Sequence, residues 1–408
     1  MKDEPVSALR FSSFTLHLSS LVAALGLFAM AAQALLFRDF FTVFDGNELG
    51  VGAFFGAWLI WIALGAMVGR FAARFNPALG LLAVAYALAF VLQQVLIAHA
   101  RELAGVKTFE LFPFARMYAA AFAANAPFSF LTGVLFTVAS QSAAREAALP
   151  AARVYIVETL GGCVGGVLTT VALSAGMPGE AVILYAAVPL LGMAALTLRS
   201  TRRFAVGALA LAALFTAFQG GLPLRWAAWN AGTEWARLLP AEAYRGMFVT
   251  AQGRYLYGRR GGQFIVLNNG ATCDSWPPDD HAAEVAAIHL AEKPNLHSAL
   301  VVGLNALGIC ERLHAISGVE HVTWLHPDSA YARELRSVLL ASGVGEILPD
   351  DAPPIDLRAY ADRTARRYDA VILNLPDVST LAMNRYISVE GFQWLRKLLN
   401  PEGIVSIR

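Results

Sequence analysis

The sequence predicts an all-α transmembrane bundle of about seven helices followed by an α/β domain with a parallel sheet, with a small β-hairpin region where the two meet. Three observations carry this. The chain has 408 residues, of which 57% are hydrophobic and only 15% charged, whereas soluble domains are nearer one quarter charged. Charge is unevenly spread: residues 1–224 carry 23 charged side chains and the remaining 184 residues carry 38. From Ser298 onward, short apolar runs alternate with helical ones. A simple soluble enzyme is thereby excluded. A net charge of +1 provides no field to draw in nucleic acid, so no such partner is expected. Three cysteines, none in a CxxC spacing, exclude a disulfide-stapled scaffold.

A bilayer core takes about 20 mostly apolar residues per helix. Runs of that kind fall at 15–37, 50–69, 78–98, 117–140, 152–176, 180–198 and 204–224, so residues 1–224 read as the membrane domain. The first run is too long for a cleaved signal peptide and lacks a small-residue cleavage site. Orientation follows from Lys and Arg near the span ends. Lys2, Arg10, Arg70, Arg74, Arg145, Arg153, Arg199, Arg202 and Arg203 fall on one side; Arg38, Arg101, Lys107 and Arg116 fall on the other. The richer side belongs in the cytoplasm, so the amino terminus is expected inside. Seven crossings then place the C-terminal domain in the periplasm, with a bacterial inner membrane as the lipid partner.

Two polar places interrupt the apolar half. Glu158 lies inside the fifth span, near Gly161, Gly162, Gly165 and Gly166. A carboxylate at that depth is costly and points to function. The bland alternative places it near the interface, bonded to a neighbouring helix, while the glycines permit close packing. Leu36 to Leu49 reads as the connection between the first two spans, with Asp45 and Asn47 capping the second and Glu48 in its first turn.

Residues 225–297 read as a linker, a small β-region and a first helix. Met247–Thr250, Tyr255–Tyr257 and Gln263–Leu267 read as strands, and Asn268-Asn269-Gly270 as a hairpin turn. A loop is expected over Cys273–Asp280, then a helix over 281–291. Residues 298–408 alternate: strands at 299–302, 321–325, 370–373 and 403–407, helices at 309–316, 329–340 and 389–399. Such alternation means a parallel sheet covered on both faces, with ligands at the carboxyl ends of its strands. Gly303-Leu304-Asn305-Ala306-Leu307-Gly308 follows the first of these strands and would let backbone approach a ligand there.

The remaining candidates are weaker. His281 and His289 share a helix face but have no third ligand at metal spacing, so no metal site is expected. Cys310 reads as a small buried hydrophobe. Trp276 suits either a ligand stack or a loop anchor.

The order of motifs resembles the spermidine synthase family, the polyamine aminopropyltransferases, and within it the bacterial membrane-embedded members. The resemblance rests on Leu36-Phe-Arg38-Asp39 through Glu48 and on Tyr155 to Gly161. In the second half it rests on Ile355-Asp356-Leu-Arg358, on Tyr368-Asp369 through Asn374-Leu-Pro376-Asp377, and on Asn384-Arg-Tyr386 followed by Phe392. It implies a Rossmann-like, methyltransferase-type domain that moves an aminopropyl group from decarboxylated S-adenosylmethionine, a co-substrate, to a diamine. No resident cofactor is implied. The acceptor amine must lose a proton to attack, which asks for a carboxylate at the strand end. The family's base falls on Asp377, its adenine contact on Asp356, and its glycine loop on Gly303 and Gly308. Glu284, Asn374 and Tyr386 fall on the amine side.

Departures from the family pattern bear on the donor. The family loop reads Gly-Gly-Gly-Asp-Gly-Gly, whereas two leucines stand here and the acid is gone. The acid that holds the ribose hydroxyls is His326, which forfeits charge-assisted bonds of about 1.5–3 kcal/mol each. Most of the amine-side acids are missing; Glu284 remains. The resulting expectation is a membrane protein with an eroded donor site that binds or handles a polyamine-like or nucleoside ligand. An active aminopropyltransferase is the alternative, and a docking module for an envelope partner the third. The C-terminal strand reads as the fifth of a sheet the family extends with two more, so a second copy, another chain or a further segment is expected to complete it.

Overall fold

In the computed structural model, the described residues are 13–407 except 45–47, 76, 108–109, 111, 145–149, 198–204, 206–207, 210–211, 213–214, 217, 269, 344–348, 350 and 376–383. The chain forms two compact units, Met1–Asn230 and Ala231–Arg408.

The first unit is helical. Continuous apolar runs form α1 (Ser13–Val43), α2 (Glu48–Ala72), α3 (Leu79–Ala98), α5 (Phe114–Ala143), α6 (Pro150–Ser174) and α7 (Gly179–Thr197), with the short α4 (Ala100–Leu103) between α3 and α5. Among the described residues these six longer helices are long and apolar enough to cross a membrane. They are compatible with a multi-pass membrane protein. The seventh expected span lies largely outside the described residues; those described between Ala205 and Gln219 are helical. A separate helix, α8 (Leu222–Ala236), follows.

Two pairs of helices meet backbone to backbone through glycine. A Cβ on Gly161 or Gly26 would stand 2.0 Å from the carbonyl oxygen of Ala23 or Glu158, so α1 and α6 can touch only because these side chains are missing. Gly65 and Gly133 do the same for α2 and α5, at 2.0 Å from Phe130 O and 2.1 Å from Ile62 O. Small residues in such seams let dispersion contacts replace a hydrophobic drive that lipid cannot supply. At the bundle centre Tyr86 stacks on Phe128, with ring centroids 4.1 Å apart. Pro127 interrupts α5, and Gln93 repairs the ladder there. Its Oε1 accepts from the Phe128 N–H at 3.1 Å, and its Nε2 donates to Asn125 Oδ1 at 2.9 Å. Buried backbone in hydrocarbon needs such internal partners.

The expected connection between the first two spans is corrected. Leu36 to Val43 continues α1, because Leu36, Phe40 and Phe44 are buried at helical spacing. Asp45 and Asn47 lie outside the described residues, and α2 begins at Glu48.

The second unit opens with an antiparallel meander, β1 (Tyr244–Val249), β2 (Arg254–Arg260), β3 (Gln263–Asn268) and β4 (Ala271–Trp276). Asn268 pairs with Ala271 and Gly270 has φ +79°, so the Asn-Gly hairpin forms. The loop expected at Cys273–Trp276 is instead strand β4. One face of the meander, with Phe248, Phe264, Val266 and Cys273, joins the main core; the other, with Leu256, Ile265 and Leu267, packs on Trp235.

After α9 (Asp280–Glu292) come β5 (Ser298–Gly303), α10 (Leu307–His314), β6 (His321–Leu325), α11 (Tyr331–Ala341), α12 (Leu357–Arg363), β7 (Tyr368–Asn374), α13 (Val389–Leu398) and β8 (Leu399–Ile407). The four strands pair in parallel in the order β6-β5-β7-β8. Alternate residues of β5 serve two cores: Ala299 and Val301 on one face, Leu300 and Val302 on the other. Both faces are therefore covered, as parallel sheets require. The expected fifth strand is corrected: among the described residues β8 is the fourth of its sheet, and beyond β6 only a bridge between Thr323 and Asp351 adds to it.

Candidate functional site

Strand order reverses between β5 and β7, and the crevice at such a point is where doubly wound sheets hold ligands. Gly303 ends β5 with φ +139°, and a Cβ there would stand 1.8 Å from Asn374 O. Only glycine fits. Asn374, at the end of β7, ties down the next residue twice. The Leu304 N–H donates to Asn374 O at 2.9 Å, and Asn374 Nδ2 donates to Leu304 O at 2.6 Å. On the other side, the Asn305 N–H donates to Cys273 O at 2.5 Å, and the Leu307 N–H to Asp274 Oδ1 at 3.1 Å. A helix N-terminus is a natural place for a ligand anion, but at α10 a carboxylate of the protein already occupies it. Gly308 completes the loop, held within reach of Pro278 and Ala282.

The end of β6 closes the crevice further. The Trp324 indole N–H donates to Gly303 O at 3.2 Å. His326 stacks on Tyr331 with ring centroids 3.9 Å apart. Its Nδ1 lies 3.0 Å from the Asp328 N–H, and its Nε2 lies 3.7 Å from Cys273 Sγ. Asp328 in turn accepts from Thr250 Oγ1 at 2.5 Å, Tyr255 Oη at 2.9 Å and the Ala330 N–H at 3.0 Å. His326, Asp328, Cys273, Asp274 and Tyr331 are all buried.

Burial sets the protonation of this cluster. It pushes His326 down to about 4, against the pull of its Asp328 hydrogen bond and charge, so the ring is neutral at pH 7. It pushes Asp274 up to about 7, opposed by hydrogen bonds that include the Leu307 N–H. Asp274 Oδ2 has no hydrogen-bond partner among the described residues. The Cys273 thiol is also raised, by burial and then by Asp274. A raised thiol beside a neutral imidazole is no nucleophile pair.

The structure thus brings Gly303, Gly308, Asn374 and His326 together, and it makes them bond to the protein itself. Asp356 and Tyr386 form a second group. Asp356 caps α12, accepting from the Ala359 N–H at 2.7 Å. Tyr386 is buried, and its hydroxyl accepts from Arg385 Nη2 at 2.8 Å. Burial raises the Tyr386 phenol, Arg385 lowers it, and the charge of Asp356 adds to the rise. Glu284 stands on the exposed face of α9. Asp377 lies outside the described residues. Trp276 is a loop anchor: its indole donates to Glu311 Oε2 at 2.7 Å. Among the described residues no group of three or more His, Cys, Asp or Glu is placed to hold a metal ion.

Sequence reasoning missed Asp274, Trp324, Tyr331, Tyr255 and Thr250. Asp274 was hidden by reading β4 as a loop; pairing Asn268 with Ala271 through the Asn-Gly turn puts it on a strand between Cys273 and Ser275.

No family model matches the chain. It is 30% identical over 135 residues to polyamine aminopropyltransferase 1 of Streptomyces coelicolor, a stretch that covers 32% of this chain. The chain spans about a quarter of that relative's length, 25%. The two are distantly related.

Proposed function

We propose that this is a multi-pass membrane protein whose second unit keeps an aminopropyltransferase-like fold and handles a polyamine-like ligand without transferring an aminopropyl group. The observation that supports this reading is the crevice at the strand ends, filled by Trp324, His326 and Tyr331 and tied shut through Gly303, Leu304 and Asn374. A nucleoside entering there would have to displace buried, bonded side chains, and it would find a neutral imidazole where a carboxylate is needed for its ribose. The count of Lys and Arg near the span ends favours a cytoplasmic amino terminus and a periplasmic second unit in a bacterial inner membrane. That placement would separate the unit from a cytoplasmic donor.

The test uses the full-length protein in lipid nanodiscs. Aminopropyl transfer from decarboxylated S-adenosylmethionine to putrescine is followed by mass spectrometry, beside calorimetric titration with spermidine. Spermidine binding without product is the expected result. Product that disappears in Asp377→Asn would overturn the reading and make Asp377 the general base of a working transferase. Reporter fusions after Arg408 check the orientation, a periplasm-active one being expected to respond.

A further inference from the structure

Inside the first unit, α1, α3, α5 and α6 enclose a cleft of about 290 Å³. Its polar wall is Glu158, Tyr86 and Thr132; most of the rest is apolar, with Leu25, Leu135 and Ala139 among it. Glu158 stands eight residues into α6, about 12 Å along the helix, well within hydrocarbon depth. Its backbone is fixed, because α1 touches α6 at this level through Gly26. Its carboxylate has no hydrogen-bond or ion-pair partner printed by the geometry of the described residues, so neither a neighbouring helix nor a counter-ion of the bundle explains it.

The two hydroxyls complete a pattern. Thr132 Oγ1 donates to Phe128 O at 2.9 Å, one turn back on its own helix. Its proton is therefore spent, so at the 2.9 Å contact between the two hydroxyls Tyr86 must be the donor. Both hydroxyl protons are then used within the protein, and what remains toward the cleft is lone pairs. A carboxylate and two hydroxyl oxygens make a wall of acceptors, which rejects anions and calls for a cation that carries N–H groups. The apolar remainder calls for a hydrocarbon body attached to it.

The geometry points to a site for a primary alkylammonium, its head on Glu158, Tyr86 and Thr132 and its methylenes along Leu25, Leu135 and Ala139. The site stands independently of the closed crevice in the second unit. It also separates a monoamine from a polyamine. The inner ammonium of spermidine would lie against apolar wall without a partner, which is costly.

The experiment is titration of the full-length protein in phosphatidylcholine nanodiscs with propylamine to hexylamine, empty nanodiscs correcting for partition. Saturable binding is expected, tightening about fourfold per methylene. Glu158→Gln is expected to weaken hexylamine about 10- to 100-fold, and Tyr86→Phe, which keeps the ring on Phe128, by about fivefold. Hexanol, with the same chain and no ammonium, should not compete, and spermidine should compete less well than hexylamine. Binding unchanged in both variants, or hexanol competing as well as hexylamine, would overturn the site. Adding phosphatidylethanolamine distinguishes the source within it: competition assigns the ammonium to a lipid headgroup, and its absence to a soluble amine. A transferase result in the second unit would leave all of these outcomes untouched.

Discussion

Asp274→Asn isolates two buried groups whose pH dependences oppose each other. Burial raises Asp274 from 3.8 to about 7 and lowers His326 from 6.5 to about 4. Native Asp274 holds its proton after the unfolded chain has lost its own. Its contribution is therefore complete below pH 3.8 and is lost as pH rises through about 7, roughly 4 kcal/mol in all. Native His326 refuses a proton that the unfolded chain accepts. Its contribution is complete above pH 6.5 and is lost as pH falls through about 4, roughly 3 kcal/mol. Between pH 4 and 6.5 the two slopes nearly cancel, and the wild-type second unit should be flat there. Removing the Asp274 carboxyl leaves the His326 slope alone, about 1.4 kcal/mol per pH unit. The variant should then gain about 2 kcal/mol from pH 5 to 6.5 and exceed the wild type by about 4 kcal/mol at pH 8. The asparagine can still accept from the Leu307 N–H, so the loop contact survives. Cys273 and Cys310 are buried in this unit and Cys163 is exposed in the other. In a Cys163→Ala background, an activated disulfide that reacts at pH 5 therefore reports opening of the second unit within the full chain. A wild type already sloping by about 1.4 kcal/mol per unit, or a variant no more stable at pH 8, would refute the reasoning.

Further outcomes follow from single contacts. Gly303→Ala would force a Cβ against Asn374 O in a backbone conformation alanine avoids; a loss above about 4 kcal/mol is expected, read by the same thiol labelling. Trp276→Phe removes the bond to Glu311 and should cost about 1.5 kcal/mol in that assay, while Glu311→Gln, which still accepts, should cost less. In the first unit, Gly161→Val should lower the thermal midpoint in detergent because its Cβ meets Ala23 O at 2.0 Å. Gly162→Val, with nothing closer than 3.6 Å, should be tolerated by comparison. Equal effects at the two glycines would discard the seam between α1 and α6.

Much of the fold was legible because its signals are local. Apolar runs near 20 residues found all six of the long helices, and the switch to strand–helix alternation at Ser298 located the parallel sheet. What failed was local in a different way. Leu36 to Val43 looks like a connection because Arg38 and Asp39 stand in it, yet the buried Leu36, Phe40 and Phe44 extend the helix past them. Asp39 finds a partner in Gln94, 2.9 Å away on α3, which no pattern within α1 announces. Likewise β4 carries too many polar residues to look like a strand. Its polar members are inward ones, Asp274 at 1% exposure among them, and their burial is made tolerable by partners elsewhere in the chain.

The candidate site was legible as a set of losses and illegible as a gain. His326 in place of an acid and two leucines in the glycine loop are visible in the sequence, and each alone suggests a weakened ligand pocket. An emptied pocket and a refilled one leave the same mark in sequence. They differ in contacts between residues tens of positions apart: Trp324 with Gly303, Cys273 with His326, Thr250 and Tyr255 with Asp328. Every one of these uses a donor or acceptor that an open crevice would offer to a ligand. Because buried polar groups must be paired with something, the more completely the protein pairs them with itself, the less a ligand gains by entering. The Glu158 cleft shows the opposite condition, with acceptors left over after internal bonding. Surplus hydrogen-bonding capacity in a cleft, rather than the presence of ancestral motif residues, therefore directs the search for this protein's ligand to the membrane bundle.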